Sequence, residues 1–340
     1  MKVPGRLLEI GDFALLKRVY PRETTLVWAG RGEAPAGLGH DASSVRVLGE
    51  RLAAGEFDGV FCHPPRVDLW PAGERLESRL RRAPRRLWQA RHVRKMRLLR
   101  KAGRTPVVVL DFSDEAVFAR EHLWLLDCCT HYFKRELPAD IAEAPADAAF
   151  RRVEGAEAAL ERNAHKLQTI SLGLSDERLR HMPADGTPKT ADLFFAGTAG
   201  RSRARLEGLK QLAALERRGY RIDIPTEKLG PSDYLDRCSR AWLAWSPEGL
   251  GWDCFRHYEA AAAGAVPVIN HPTIRPHRPL RHGEHCFYYD IAGDGLVTTV
   301  VEALRRPDEL RSMALAAREH VLAHHTHRKV CEYVLATSCS

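Results

Sequence analysis

The sequence feature that most constrains the fold of this chain is the stretch SPEGLGWDCFRHYEAAAAGAVPVIN, from Ser246 to Asn270. It opens with a loop rich in proline and glycine and closes with the apolar run AVPVI, so it predicts a loop, a helix and a buried strand in succession. We expect the helix to start at about Asp253, a typical N-cap residue, and to stop before Gly264, a typical C′ residue. A helix that leads directly into a buried strand indicates an α/β protein.

Two charged residues lie near the start of this predicted helix. Arg256 and Glu259 are three residues apart, so they occupy neighbouring positions on one helix face. Unpaired backbone N–H groups and the helix dipole favour an anion at a helix N-terminus. At this position the Arg256 guanidinium can form two parallel hydrogen bonds to a diphosphate, and Glu259 can accept hydrogen bonds from a ribose diol. The alternative is an ordinary ion pair between Arg256 and Glu259 on the helix surface.

The whole stretch resembles the nucleotide-sugar-binding segment of GT-B glycosyltransferases, closest to the exostosin-like and bacterial "family 1" types. The matching residues are Gly249, Gly251, Arg256, Glu259, Ala260, Gly264, Val266, Pro267, Val268 and Ile269. The resemblance implies an α/β fold of two Rossmann-like domains, each a doubly wound parallel sheet, which face each other across a cleft. It also implies that Glu259 holds the donor ribose and that the glycines and Arg256 face the diphosphate.

The spacing of the glutamates departs from the family pattern. Retaining members carry two glutamates that are closer together than Glu248 and Glu259, which are eleven residues apart here. We therefore place Glu248 in the donor-binding loop without a defined role. Whether transfer retains or inverts the configuration of the sugar stays open.

A second glycine turn occurs in LFFAGTAGRSRARLEGL, where a predicted strand leads into a helix. Gly197, Thr198 and Arg201 lie at this junction. Backbone N–H groups and a cationic side chain can bind a phosphate at such a place, and the position matches that of the resembled family. The alternative is an ordinary tight turn.

The chain is long enough for two domains. In its first third, the apolar runs TLVWAG, GVFCHPP and TPVVVLDFSD alternate with helical patterns, which predicts a parallel sheet. The polar segment from His181 to Asp192 contains two prolines and predicts a linker. We predict an acceptor-binding domain over residues 1–185 and a nucleotide-sugar-binding domain over 186–340, with the last helix able to cross back to the first domain.

Polar side chains follow two of the predicted strands in the first domain. His63, Asp111 and Asp114 lie at carboxyl ends of strands, where doubly wound sheets bind ligands. An inverting transferase needs a base on the acceptor side, and these three residues are the candidates. For Asp111 and Asp114, a role in a turn or an N-cap is the alternative.

The formal net charge of +8 predicts an acidic partner. The most basic segment, RLRRAPRRLWQARHVRKMRLLRKAGR over residues 79–104, has apolar residues among its arginines. Such a helix can lie on an anionic membrane, or it can cover a parallel sheet with its arginines in water. We expect no nucleic-acid partner, because aromatic interleaving and reading motifs are missing.

The N-terminal sequence MKVPGRLLEIGDF has no continuous apolar region of the kind found in a signal peptide, and no window is apolar enough for a membrane helix. We expect a cytoplasmic protein, with peripheral contact at the inner face of the membrane as an option. Eight irregularly spaced cysteines indicate reduced thiols. The histidines between His271 and His285 fit no regular zinc pattern, so we expect neither a metal nor another cofactor.

The resemblance implies a glycosyltransferase that moves a sugar from a nucleotide-sugar donor to a cell-surface glycan, a glycolipid or another acceptor. The alternative is a nucleotide-sugar-binding protein without transfer activity, whose first domain docks on a membrane or a partner. The donor base, the sugar, the acceptor and the oligomeric state cannot be read from the sequence.

Overall fold

The chain divides into two compact units, Met1–Ile170 together with Cys331–Ser340, and Ser171–Val330. The structure is a computed structural model that describes residues 5–30, 33–41, 43–64, 92–119, 122–141, 155–184, 186–198 and 202–339. Each unit contains one parallel sheet and helices that connect its strands. The predicted α/β class with two Rossmann-like sheets is therefore confirmed.

In the described residues of the N-terminal unit, six parallel strands form the sheet. The strands are β1 (Leu7–Gly11), β2 (Thr24–Trp28), β3 (Gly59–Cys62), β4 (Val107–Asp111), β5 (His131–Lys134) and β6 (Leu167–Thr169). Helices α1 (Leu15–Val19), α2 (Val45–Ala53), α3 (Leu123–Cys128) and α4 (Ala156–Asn163) lie between them, with short 3-10 helices at Arg97–Lys101 and Ala164–Lys166. The strand order is β2-β1-β3-β4-β5-β6, so the winding reverses between β1 and β3.

The strands predicted from the three apolar runs are confirmed as β2, β3 and β4. Strand β1 was not predicted, although it lies between β2 and β3 in the sheet. Its sequence is LLEIG, and the charged Glu9 interrupts the apolar pattern that identifies a buried strand. Glu9 is nevertheless fully buried, because hydrogen bonds satisfy its carboxylate.

The described part of the basic segment packs against the N-terminal core. Met96, Leu98 and Leu99 are buried in the same hydrophobic cluster as the strands of this sheet. The Arg100 guanidinium lies 5.4 Å from the centre of the Trp124 ring. These contacts agree with the sheet-covering alternative, whereas residues 79–91 lie outside the described part and membrane contact stays a prediction. Within the described ranges, no helix combines the length and apolar character that membrane crossing requires.

The described part of the C-terminal unit contains a sheet of five parallel strands. They are β7 (Ala191–Phe194), β8 (Ile222–Asp223), β9 (Ala241–Trp245), β10 (Val266–Asn270) and β11 (Phe287–Tyr289). The helices are α5 (Asp176–Arg180), α6 (Arg203–Arg217), α7 (Pro231–Ser239), α8 (Phe255–Ala262), α9 (Gly295–Leu304), α10 (Pro307–His324) and α11 (His327–Ser338). The order β11-β10-β9-β7-β8 reverses between β7 and β9.

The division of the chain falls at Ile170/Ser171, ahead of the predicted linker from His181 to Asp192. The last part of α11 groups with the N-terminal unit, where the Tyr333 ring meets Phe133 edge to face, with ring centres 5.5 Å apart. The assignment of acceptor and donor binding to the two parts stays a prediction.

Helix α8 starts later than the sequence predicts. Its N-cap is Cys254 and not Asp253. The Asp253 carboxylate is buried, accepting hydrogen bonds from the Leu172 backbone N–H and the Tyr258 hydroxyl, so tertiary contacts take the oxygens that would have capped the helix. The predicted end is confirmed, because Gly264 follows the C-cap with a φ of 82°, which favours glycine.

Candidate functional site

Two glycine-containing loops lie side by side at the reversal point of the C-terminal sheet. Gly197 and Thr198 follow β7, and the loop from Glu248 to Gly251 follows β9. Because β7 and β9 are parallel neighbours, both loops leave the sheet at the carboxyl ends of their strands. Open α/β sheets bind ligands in this crevice.

Two arginines hold these loops. Arg205, in the first turn of α6, donates from Nε to the Glu248 carbonyl and from Nη1 to the Thr198 carbonyl, both at 2.9 Å. Arg256, in the first turn of α8, donates from Nη2 to the Pro247 carbonyl at 3.2 Å. Within the described ranges, no hydrogen-bond partner reaches its buried Nε. Among the residues that the structure describes, neither arginine has a carboxylate partner.

The two positive charges lie close enough to affect each other. Burial and the nearby Arg256 cation both lower the pKa of Arg205. The glycines make the approach of the guanidiniums feasible. A methyl group on Gly197 would lie 3.3 Å from Arg256 Nη1, and one on Gly249 would lie 2.9 Å from Arg205 Nη2. An anion bound here would stabilise both guanidiniums, and its oxygens would match their N–H groups.

The loop that follows β9 is fixed by Asn270 at the end of β10. The Glu248 N–H donates to Asn270 Oδ1 at 2.8 Å, and Asn270 Nδ2 donates to Glu248 Oε2 at 3.1 Å. Trp252 Nε1 donates to the Asn270 carbonyl at 3.0 Å. Within the loop, the Gly249 N–H donates to the Gly251 carbonyl at 2.9 Å. These bonds position the loop without using the arginine side chains.

His257 has a structural role beside this loop. It lies 2.8 Å from the Trp252 carbonyl through Nε2 and 2.7 Å from the Ser246 hydroxyl through Nδ1. A carbonyl only accepts, so Nε2 carries the proton and Nδ1 accepts from Ser246. Burial lowers the pKa of His257 to about 3, so the imidazole stays neutral and does not add a third positive charge.

Glu259 pairs with an arginine other than Arg256. Its Oε1 accepts from Nε of Arg178, on α5, at 2.6 Å, and the Arg178 guanidinium lies 5.4 Å from the centre of the Tyr234 ring. The surface ion pair between Arg256 and Glu259 is thus not formed. In the described part of the chain no hydrogen bond reaches Glu259 Oε2. The ribose-binding role of Glu259 stays a prediction, which this second oxygen would have to fulfil.

Asp111 is saturated with hydrogen bonds. Ser113 donates to Oδ1 from its backbone N–H and its hydroxyl, and Tyr132 and Lys134 donate to Oδ2. Burial by itself raises the pKa of Asp111, but the Lys134 ammonium and the Ser113 hydrogen bonds outweigh it and lower the pKa to about 2. A carboxylate with such a low proton affinity and four donors is suited to holding strands β4 and β5 together.

The other two candidate bases differ in their surroundings. Asp114 forms a salt bridge with Arg135 at 2.6 Å. His63 lies 2.8 Å from Glu9 through Nε2, and no group among the described residues forms a hydrogen bond with its buried Nδ1.

The structure brings most of the predicted donor-binding residues together and adds one. Gly197, Thr198, Glu248, Gly249, Gly251 and Arg256 lie on or beside the two adjacent loops, whereas Glu259 pairs with Arg178, and Arg201 lies outside the described residues. Arg205 was missed. The available signal was its position three residues after Ser202, whose side chain caps α6, but the sequence RSRAR offers three arginines without showing which one points towards the loops.

Residues 237–336 match the model of a family described as glycosyl transferase-like. None of the curated proteins compared with this chain matches it. Among solved structures, a glycosyltransferase from Rickettsia africae is similar with a TM-score of 0.56 and 10% identity, covering 99% of this chain and 98% of that one.

Two further solved structures share the fold across nearly their whole length. HepE of Anabaena in complex with UDP and glucose has a TM-score of 0.54 and 8% identity, covering 98% of this chain and 99% of that one. Sucrose-phosphate synthase of Thermosynechococcus elongatus has a TM-score of 0.50 and 14% identity, with 98% of both chains covered. At these identities the similarity concerns the fold, and it confirms that the fold is that of GT-B proteins.

Proposed function

We propose that this protein transfers a sugar from a nucleotide-sugar donor, and that its C-terminal unit holds the donor diphosphate between Arg205 and Arg256. The proposal rests mainly on one observation. The guanidiniums of Arg205 and Arg256 lie near each other at the reversal point of a Rossmann-like sheet, and neither pairs with a carboxylate among the described residues. Two like charges in a partly buried crevice destabilise each other unless an anion joins them. A diphosphate has the charge and the oxygen spacing to bind both arginines.

The same arrangement suits the chemical step. When the bond between the sugar and the diphosphate breaks, negative charge builds on the leaving phosphate. Arg205 and Arg256 lie ready to stabilise that charge, and Cys254, the N-cap of α8, makes no side-chain hydrogen bond to the N–H groups of the first turn. Fixed donors such as these stabilise developing charge without having to reorganise during the reaction.

The match of residues 237–336 to a glycosyl transferase-like family supports this proposal. The UDP and glucose bound by HepE make UDP-glucose the first donor to test. We also propose that the two arginines supply the countercharge to the diphosphate, so that no metal is required. The exostosin-like subtype and a cell-surface glycan or glycolipid acceptor rest on the sequence resemblance alone.

The experiment is a thermal-shift panel with UDP, GDP, ADP, CMP and dTDP and with their sugar derivatives. A ligand that binds only the folded protein at a concentration of 100 times its Kd stabilises it by about 2.7 kcal/mol. We expect one nucleotide class to raise the melting temperature of the wild type by several degrees. Arg256→Gln and Arg205→Gln should each reduce that shift, since each variant removes a charged donor.

The matched control is Arg240→Gln, which removes an exposed arginine whose partner is Asp236, on α7. This variant should keep the full shift. If no nucleotide raises the melting temperature of the wild type, or if the crevice variants respond as fully as Arg240→Gln, the proposed donor site is wrong.

A further inference from the structure

The C-terminal unit has a pocket at the amino-terminal edge of its sheet, the edge opposite to the loops that Arg205 and Arg256 hold. Strands β7, β9 and β10 are parallel, so all three start at this edge. The described lining residues come from segment 184–189 ahead of β7, from the ends of α7 and α8, and from α10. All of them belong to the C-terminal unit, so this unit alone forms the pocket.

Lys189 satisfies the carbonyl groups at the helix ends beside this pocket. Its Nζ donates to the carbonyls of Ser239, Ala241 and Gly264 at 2.8, 2.9 and 2.7 Å. Ser239 ends α7 and Gly264 follows the C-cap of α8, and carbonyls at helix ends otherwise need water or another donor. Because an ammonium has three N–H donors, Lys189 uses all of them here. Water in the pocket therefore has few polar partners, although it needs about two to four to be held firmly.

Most of the other surface that the described residues give the pocket is apolar. Ala184, Ala263, Ala314 and Leu315 line it. Leu315 is 60% exposed, and among the large apolar side chains of the described residues only Leu250 is more exposed. Concave sites lined mainly by apolar side chains are typical of pockets for small molecules. The apolar part of a ligand would displace weakly held water and cover Leu315.

Two arginines of α10 give the pocket a positive charge. Arg311 lies four residues before Leu315 and Arg318 lies three residues after it, so all three side chains are on one face of the helix. Arg311 also pairs with Asp308, and its guanidinium lies 5.1 Å from the centre of the Trp242 ring. A guanidinium has five N–H donors, so each arginine can bind a ligand in addition to its present contacts. No carboxylate lines the pocket among the described residues.

The size of the pocket limits its ligand. Its volume is about 220 Å³. An apolar cavity of about 150 Å³ is large enough to bind benzene. The pocket can therefore hold one six-membered ring or a short alkyl chain together with one anionic group.

We propose that this pocket binds a small amphipathic carboxylate. Its apolar body lies against Leu315 and the alanines, and its carboxylate is held by Arg311 and Arg318. A planar guanidinium matches a carboxylate because it can donate two parallel hydrogen bonds to it. The site is separate from the proposed donor site, which lies at the other edge of the same sheet, and binding here does not depend on sugar transfer.

Methyl NMR of the full chain with labelled leucines and alanines tests the proposal, with phenylacetate as the probe. Leu315→Ala assigns the Leu315 signals. We expect these signals to shift and saturate with a Kd of about 1 mM or tighter. The methyl signals of Leu322, which is 40% exposed on the same helix, should not move.

Two related compounds separate the charge from the apolar body. Phenylacetamide has nearly the same shape but no charge, so it should bind about tenfold more weakly, since hydrogen bonds to charged groups are the stronger ones. Acetate has the charge but no ring, so it should leave the Leu315 signals unchanged at the concentrations that saturate the site with phenylacetate.

Two variants test the residues, with the Ala314 methyl signal as the readout. Leu315→Asp adds a negative charge and removes the apolar contact, so it should weaken phenylacetate at least about tenfold. Leu322→Asp, two turns further along α10, is its matched control and should bind as the wild type does. Arg318→Gln should weaken phenylacetate and leave phenylacetamide unchanged. Its control is Arg306→Gln, which removes an exposed arginine paired with Glu309.

Three results would each overturn the proposal. They are unchanged Leu315 and Ala314 signals with millimolar phenylacetate, equal affinities for phenylacetate and phenylacetamide, and equal affinities of Leu315→Asp and Leu322→Asp for phenylacetate. The Arg205→Gln/Arg256→Gln double variant should bind phenylacetate as the wild type does, and loss of binding there would place the acid at the donor loops instead. Because these measurements use no nucleotide, a failure of the proposed function would leave them interpretable.

Discussion

At the level of single residues, Arg256 could be assigned to the site from the sequence, whereas Arg205 could not. The string around Arg256 has a recognisable order, so its place in a nucleotide-sugar loop could be predicted. Arg205 could not be selected from neighbouring arginines, because only the packing of α6 decides which side chain turns inward. The prediction of Asp253 as the N-cap of α8 was wrong for a related reason. Leu172 and Tyr258 donate hydrogen bonds to the carboxylate that would otherwise cap the helix.

Buried histidines should make the stability of the C-terminal unit depend on pH. His325 stacks on Tyr258 with ring centres 4.4 Å apart and lies 2.9 Å from the Arg278 carbonyl through Nε2. Burial lowers its pKa well below 6.5, and it lowers the pKa of His277 to about 4 and that of His257 to about 3. All three are therefore neutral in the folded protein.

Below about pH 6.5 these three histidines bind protons in the unfolded chain but stay neutral in the folded chain. The free energy of unfolding therefore falls as the pH drops. The slope is at most about 1.4 kcal/mol per pH unit for each histidine, and for His277 the loss continues until about pH 4. Urea unfolding at pH 7.5 and pH 5 measures it, with His277→Gln expected to reduce the slope. Equal midpoints at the two pH values would contradict these protonation states.

At the scale of elements, helix α6 is positioned by a close contact between a glycine and an aromatic ring. A methyl group on Gly208 would lie 2.0 Å from Trp245 Cζ2. Trp245 is buried and donates from Nε1 to the Tyr289 hydroxyl at 2.9 Å, so it cannot move without breaking that bond. The glycine thus lets α6 pack against β9, and this packing sets the place from which Arg205 reaches the loops.

We expect Gly208→Ala to destabilise the protein by about 1–3 kcal/mol, because overpacking outweighs the gain in helix propensity. The matched control is Gly49→Ala, in the interior of α2. A methyl group there would lie 2.8 Å from Lys101 Cδ, part of a flexible side chain that can move aside. Denaturant unfolding of the two variants measures the difference. Equal stability of Gly208→Ala and the wild type would show that α6 and Trp245 are not so closely packed.

Elements also differ in how well their sequences predict them. Strands β2, β3, β4, β7 and β10 correspond to apolar runs in the sequence, and each was predicted. Strand β1 was missed because Glu9 contradicts the pattern of a buried strand, and it becomes compatible only when Leu15, Leu16 and Lys17 supply their N–H groups from α1. These N–H groups keep Glu9 buried as a carboxylate, and this carboxylate pairs with His63.

In the molecule as a whole, each unit has a point where its strand order reverses, and buried polar atoms without a hydrogen-bond partner in the described residues lie at both points. Both sheets reverse their winding beside their first strand, between β1 and β3 and between β7 and β9. Two of the buried polar atoms that find no hydrogen-bond partner within the described residues, Nδ1 of His63 and Nε of Arg256, lie at these reversals. The fold could be predicted from the order of apolar runs, whereas these orphan atoms could not, because burial and hydrogen bonding depend on contacts distant in sequence.

Binding of a diphosphate by Arg205 and Arg256 can be measured by calorimetric titration. The ligands are the nucleoside diphosphate selected by the panel and the same nucleoside without phosphates. The proteins are the wild type and the Arg205→Gln/Arg256→Gln double variant.

Hydrogen bonds to charged groups contribute about 1.5–3 kcal/mol each. We therefore expect the wild type to bind the diphosphate at least about tenfold more tightly than the nucleoside, and the double variant to lose this preference while still binding the nucleoside. A folded double variant that binds the diphosphate as tightly as the wild type would show that the two arginines do not hold the diphosphate.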